Sequence, residues 1–313
     1  MRIAVIGATG HVGTYLVPRL VRAGHQVVAI SRGTREPYTP APEWGAVERV
    51  TDDRESPGFE DRVAALSPDC CVDMVCFTPQ EAGRLLEALR PSRPLLLHCG
   101  TIWVHGPARL VPVTEDEPRT AYGDYGTGKA AVEALLHRET IAGGVPSVVL
   151  HPGHISGPGW NVVTPAGNFD TNVWRRLAAG EPLPLPDLGL GVVHHVHADD
   201  VAQAFERALT RPEAIGASFH VVAEQAMTLR GLAHGAAAWW GREPVLEFVD
   251  WPEFERRVGA QHSAATRAHV GRGIAASIDR AKSVLGYAPR YSVLEALREA
   301  VASLAANGEV PAF

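Results

Sequence analysis

Short apolar runs alternate with helically spaced apolar positions through the first half of the chain. Arg2–Ile6 is an apolar run that ends at Gly7. From Val12 to Arg22 the apolar residues fall at Val12, Leu16, Val17, Leu20 and Val21, the spacing of one helix face. Gln26–Ile30 predicts a second strand, Arg62–Leu66 a short helix and Val72–Phe77 a third strand. Glu81–Leu89 and Ala130–Ile141 predict helices, and Leu95–Cys99 and Ser147–His151 predict strands. This β-α-β-α order predicts an α/β fold, a doubly wound parallel sheet with helices on both faces. The continuously apolar run Pro94-Leu95-Leu96-Leu97 fits a strand covered on both sides.

The pattern changes after residue 152. The segments at 153–190 and 224–275 are richer in Pro, Gly, Trp and loop residues. A helix at Asp200–Leu209 and a strand at Ser218–Val222 return to the earlier rhythm between them. We therefore expect one unit from residues 1–152 plus about 191–223. A smaller α/β substrate-binding unit is expected from about 153–190 plus 224–313, built from insertions beyond the strands.

Composition narrows the reading. The 313 residues carry 29 basic and 35 acidic side chains, a net charge of −6, with no basic run. That disfavours a nucleic-acid or anionic-membrane surface. No apolar stretch is long enough to span a bilayer. The N-terminus runs directly into the first strand, leaving no room for a signal peptide. Cys70, Cys71, Cys76 and Cys99 have no CxxC spacing and sit in apolar segments, as reduced packing residues would. Together these features predict a cytoplasmic protein.

The first strand ends in Gly7-Ala8-Thr9-Gly10-His11-Val12-Gly13. A strand before, a helix after and a second strand about 20 residues on are the context a dinucleotide needs. Glycines permit the turn and the close approach of a pyrophosphate, and the helix N-terminus offers unpaired N–H groups. The second strand ends without an acidic residue for a ribose hydroxyl. Ser31, Arg32 and Arg35 stand there instead, which favours the 2′-phosphate of NADP over NAD.

The chain has only two lysines, Lys129 and Lys282, against 27 arginines. Lys129 lies four residues after Tyr125, so on a helix the two share a face. An ammonium near a phenol would lower the phenol pKa and let it exchange protons near neutrality.

With these residues the sequence resembles the extended short-chain dehydrogenase/reductase superfamily, the NAD(P)-dependent epimerase/dehydratase family. The segment 98–106 sits where that family reads Ser-Ser-x-x-Val-Tyr-Gly, with Thr101 on the catalytic Ser/Thr position. The segment 151–158 is similar to Arg-Pro-Gly-Asn-Val-Tyr-Gly-Pro, 196–202 to Ile-His-Val-Asp-Asp-Val-Ala, and 286–292 to the C-terminal Gly-Tyr-x-Pro-x-Tyr-Ser stretch. The resemblance implies a Rossmann domain with Thr101, Tyr125 and Lys129 as the catalytic set. It implies cofactor contacts at Gly7, Thr9, Gly10, His11, Val12, Gly13, Ser31, Arg32, Asp53, Arg54, Phe77, Tyr125, Lys129 and Pro152. It also implies a homodimer through helices near 81–90 and 127–141.

The departures bear on the substrate. His151 and His154 replace the family's Arg and Asn, and Val193 stands where sugar-nucleotide enzymes often have Arg. A diphosphate favours bidentate arginine, so their loss weakens a nucleotide-sugar assignment. Arg175 and Arg176 are read as flanking an exposed helix. Ile102 and Trp103 replace the acid pair of sugar dehydratases. Trp103, His154 and Asn168 are the expected substrate contacts, with Phe169 beside them. The run His194, His195, His197, Asp199 and Asp200 invites a metal reading. The family match instead makes His197 and the two aspartates a strand end and helix cap, so no metal is expected. The function that follows is NAD(P)-dependent hydride transfer at a hydroxyl or carbonyl carbon of a sugar-like small molecule. Two alternatives stay open: NADPH-dependent reduction of a non-sugar ketone, and a non-catalytic cofactor-binding regulator or RNA-binding protein.

Overall fold

The computed structural model describes residues 1–313. Its first strands are β1 (Arg2–Ile6), β2 (Gln26–Ser31), β3 (Glu48–Thr51), β4 (Cys70–Asp73), β5 (Leu95–Cys99) and β6 (Ser147–Pro152). Four short strands follow: β7 (His154–Ser156), β8 (Leu183–Pro186), β9 (Val192–Val193) and β10 (His195–His197). β11 (Ser218–Val221) then completes a seven-stranded sheet in the order β11-β6-β5-β4-β1-β2-β3. Every pairing in it is parallel. The order reverses between β1 and β4, which opens a crevice at the carboxyl ends of those strands.

Alternate residues of β1 serve opposite layers. Ile3 and Val5 pack with Leu16, Val17 and Leu20 of α1 (Gly13–Arg22). Ala4 and Ile6 pack with α2 (Phe59–Ala65), α3 (Pro79–Leu89) and α4 (Gly123–Ile141). Burying each large aliphatic side chain contributes roughly 1.5–3 kcal/mol. A separate apolar cluster joins α5 (Asn172–Ala179), α7 (Leu229–Ala237) and α10 (Val293–Ala306) around Trp174 and Leu297. Between α5 and α7 the chain passes back through α6 (Ala198–Ala208), which packs in the first layer with α1. The second cluster also holds β8 paired with β13 (Leu246–Val249) and β9 paired with β12 (Met227–Thr228). Helices α8 (Trp251–Val258) and α9 (Ala260–Val270) precede the last helix. No helix is long and apolar enough to cross a membrane.

The pattern reading missed β3 and started α2 three residues late, and two further elements differ in an instructive way. The strand expected over Val72–Phe77 ends at Asp73. Thr78 and Glu81 form a reciprocal capping box with Pro79 at the first helical position, and Glu81 also accepts the Phe77 N–H. That starts α3 early and draws residues 74–77 off the sheet. The helix expected from Ala130 begins seven residues sooner, at Gly123. Glycines 126 and 128 argue against a helix by propensity. Here they let α4 press against the backbone carbonyls of Trp103 and Phe77.

Candidate functional site

Two stretches of this scaffold face the crevice: the turn after β1, and the segment joining the end of β5 to α4. The turn is shaped by close contact. A Cβ on Gly13 would lie 2.2 Å from the Ala8 carbonyl oxygen, so only glycine lets α1 pack on the turn. A groove of about 280 Å³ opens beside it. Gly7, Thr9, Gly10, Ser31, Arg32, Asp53, Arg54 and Phe77 all line this groove, together with Arg35. His11 and Val12 lie behind them at the start of α1, and Pro152 ends β6.

The charges in the groove are unequally committed. Asp52 is bound by Arg62 at 2.7 Å, and Asp53 accepts the Glu55 N–H at 3.1 Å. Arg54 is buried and pairs with Asp73. Arg32 and Arg35 have no carboxylate partner; Arg35 instead donates to the Tyr38 hydroxyl. A polar cradle with two uncommitted guanidinium groups suits a dinucleotide phosphate.

His11 is buried with neither ring nitrogen hydrogen-bonded. Its ring stacks on Trp160 at 4.8 Å, and burial pushes its pKa down to about 3.

At the other stretch, Thr101 caps the short turn Ile102–His105, its hydroxyl accepting the Trp103 N–H at 3.3 Å. Tyr125 and Lys129 lie one turn apart on α4, as the spacing predicts. Tyr125 packs edge-on to Trp103 at 5.8 Å and near Phe77 at 6.3 Å. Partial desolvation pushes its phenol up to about 12, while the Thr101 hydroxyl pulls the other way. Lys129 is buried, and its Nζ donates to the carbonyl oxygens of Cys99 at 2.6 Å and Cys76 at 2.8 Å. This differs from the simplest reading of the Tyr-Lys spacing. In this conformation the Cys99 and Cys76 carbonyls hold the ammonium, while Tyr125 keeps 45% of its surface exposed.

The expected substrate contacts separate. Trp103 is half-buried, with its ring centroid 6.3 Å from His154 and 5.6 Å from His269. His154 keeps an unpartnered, buried Nε2, and burial holds its pKa well below the ordinary value. Asn168 does not share this space. Its Oδ1 accepts from Thr164 and from the Asp170 N–H, and its Nδ2 donates to Thr266 at 3.1 Å. The loop itself takes up both ends of the amide, so Asn168 is corrected from substrate contact to loop brace. Neighbouring Phe169 packs on His269 at 5.2 Å.

Two further residues join this cluster without any sequence signal. One is His269. The other is Arg272, a buried guanidinium 3.8 Å from the Trp103 ring centroid and 4.0 Å from that of Tyr122. Both come from the end of α9 and the turn after it, where no motif marks them. Most of the His194–Asp200 run is hydrogen-bonded within the fold, His195 keeping a buried Nε2 without a partner. His197 accepts the Asp199 N–H at the start of α6, Asp199 pairs with Arg19, and Asp200 accepts the Arg290 and Tyr291 N–H groups. Asp73, Cys76 and His98 also converge, with their ligand atoms within 4.8 Å of one another, but the Arg54 guanidinium occupies the Asp73 carboxylate.

The chain matches the model of the NAD dependent epimerase/dehydratase family over residues 3–55 and 81–223. It is 27% identical to the chloroplast stem-loop binding protein of 41 kDa b from Arabidopsis thaliana, over 95% of this chain and 78% of that protein. It is 29% identical to a 2′-dehydrokanamycin reductase from Streptomyces kanamyceticus, over 80% of this chain and 70% of that one. Its fold matches the UDP-glucose 4-epimerase of Thermotoga maritima with a TM-score of 0.74 at 20% identity, over 99% of this chain and 100% of that one. The glycine turn, the groove and the family match agree: this chain is an NAD(P)-dependent enzyme and belongs to the NAD-dependent epimerase/dehydratase family.

Proposed function

We propose that this enzyme transfers hydride at a hydroxyl or carbonyl carbon of a sugar-like small molecule, with NADP(H) preferred and Tyr125 as acid and base. The observation that carries the reading is that Tyr125 packs on Trp103, two residues past Thr101, and near Phe77, which lines the groove, with Lys129 one turn further along α4. A bound nicotinamide cofactor would supply or accept the hydride. Gly7, Thr9 and Gly10 would hold its pyrophosphate, with Ser31 and Arg32 toward the 2′-phosphate. A phenol is protonated at neutral pH, the form in which Tyr125 gives its proton to a carbonyl oxygen. Thr101 hydrogen-bonds that same oxygen. Trp103 and His154 wall the substrate.

The relatives span both outcomes of such a step. They include UDP-glucose 4-epimerases, whose net reaction is an epimerisation, and a 2′-dehydrokanamycin reductase, whose net reaction is a reduction. The stem-loop binding relative raises RNA binding as a second reading, which the net charge of −6 opposes. The test follows NADPH consumption with a panel of ketoses and with phenanthrenequinone, an activated diketone. Tyr125→Phe is expected to lower turnover at least about 100-fold while cofactor affinity stays within about 2-fold. Full turnover by that variant rejects the mechanism. Retention of stem-loop RNA by a protein that oxidises no NADPH supports the second reading instead.

A further inference from the structure

The direction of the Thr101 hydroxyl depends on how its backbone is held, and one side chain holds it. The Thr101 N–H donates to Nδ1 of His151 at 2.9 Å. His151 is fully buried on β6, and its Nε2 lies 3.0 Å from Oε1 of Glu133. Glu133 sits on α4 four residues beyond Lys129 and eight beyond Tyr125, so all three share a face. Arg119 grips the same carboxylate with bonds of 2.7 and 2.9 Å. Burial alone would raise the pKa of Glu133, but the hydrogen bonds from Arg119 and His151 and the Arg119 charge hold it well below the usual carboxylate range.

The chemistry of these neighbours fixes the imidazole. An ionised carboxylate only accepts, so Nε2 carries the proton. A backbone N–H only donates, so Nδ1 offers its lone pair. Both partners require the same tautomer. Helix α4 thus grips the end of β5 at two points, through Lys129 on the Cys99 carbonyl and through Glu133 and His151 on the Thr101 N–H.

The residue between those two points is fitted to this arrangement. A Cβ on Gly100 would lie 2.3 Å from His151 Nδ1 and 2.7 Å from its Cε1. The motif this chain resembles has a serine at position 100 and an arginine at 151. The two departures touch each other, and each is intelligible only with the other. From this we infer that His151, oriented by Glu133, is a positioning residue that sets Thr101 against the substrate oxygen. Gly100 is the clearance that admits it. The inference rests on the reaction proposed above.

The unsubstituted enzyme gives the first test. Nitrogen-15 NMR of labelled histidine is expected to find His151 as the Nε2–H tautomer, and an Nδ1–H tautomer overturns the inference. Two variants separate its bonds. His151→Asn keeps an acceptor near the Nδ1 position, and His151→Gln keeps only the reach toward Glu133. With NADPH and phenanthrenequinone, kcat is expected to fall about 30-fold in H151Q and no more than about 3-fold in H151N, with cofactor KM within about 2-fold of wild type. Unchanged kcat in H151Q overturns the inference, as does an equal loss in both variants. Gly100→Ala is expected to match H151Q, and the double variant to be no worse than either alone; additive losses also overturn it. If Tyr125→Phe kept full turnover, the reaction reading would fall. The histidine tautomer and the Thr101 amide shift would still decide whether His151 holds Thr101.

Discussion

The cofactor groove and the seam behind Thr101 are built by opposite means. The groove is open, carries charge of both signs and takes its form from backbone: a glycine turn, a helix end and strand ends. The seam runs through β5, β6, β7, β10 and β11 and is closed. Its polar groups are buried imidazoles, including His98, His105, His151, His194, His195 and His220. All but His98 are held by one or two specific partners, such as the His105–His220 contact at 2.8 Å or the His194 Nε2 bond to the Ala223 carbonyl. A groove of this kind tolerates varied side chains as long as the backbone can approach the ligand. A seam of this kind works only while its His98, His105, His194, His195 and His220 imidazoles, all pushed down by burial, stay neutral.

The largest expected effect tests that neutrality. Burial pushes His105 and His194 down to about 4 and His195 down to about 3. Their folded pKa values lie below the unfolded value of about 6.5, so the unfolded chain binds more protons in between. The stability they contribute is fully present above about pH 6.5 and is lost as pH falls below it. At pH 5 each costs about 2 kcal/mol, about 6 kcal/mol for the three. Asp200 acts in the other sense, because burial raises it to about 6, and returns roughly 1 kcal/mol over the same range. The net loss rivals the whole stability of a typical domain, 5–15 kcal/mol by order of magnitude. Circular dichroism against pH is expected to find cooperative unfolding near about pH 5. A melting temperature that stayed flat from neutrality to that pH would remove the contrast between groove and seam.

The same contrast explains what could be read from the residues alone. Gly7 to Gly13, Arg32 and the Tyr125–Lys129 spacing are local patterns, and each states its chemistry within a few positions. The seam is made by contacts between distant segments. His151 meets Thr101 across 50 positions, and His105 meets His220 across 115. No periodicity encodes such pairs. The motif departure at 151 was legible in the sequence, but that Gly100 makes room for it required the fold. The start of α4 was hidden for a related reason. Its glycines read as helix breakers until the carbonyls they press against are known. Asn168 was read as a ligand contact because a polar residue in a long loop has two common uses, and only the Thr164 and Thr266 bonds decide between them.

A groove built from backbone should fail when the backbone is moved. Gly13→Ala places a methyl 2.2 Å from the Ala8 carbonyl oxygen, which cannot yield as a side chain could. Affinity for NADPH, read by fluorescence titration, is expected to fall about 100-fold, or about 3 kcal/mol. Gly83, inside α3, is the control, because nothing lies within 4 Å of its added Cβ. Gly83→Ala is expected to leave affinity unchanged and to raise stability by about 0.5–1 kcal/mol through helix propensity. Equal affinities in the two variants would mean that the turn is not what holds the cofactor.

The smallest effect concerns which dinucleotide the groove prefers, since surface charge contributes less than backbone fit. Arg32 and Arg35 are its uncommitted cations, whereas Asp52 is engaged by Arg62 and Asp53 by the Glu55 N–H. Replacing both arginines by serine is expected to weaken NADPH binding about 10-fold and NADH binding no more than about 2-fold, because only the former carries the additional phosphate. The difference should shrink as salt rises, since these guanidinium groups are exposed. Mass spectrometry of nucleotide released from the denatured wild-type protein gives an independent reading, with NADP expected. Retained NAD, or equal wild-type affinities for the two reduced cofactors, would assign the arginines to stacking on the adenine. It would leave the cradle, with its glycine turn and helix end, as the sole source of cofactor affinity.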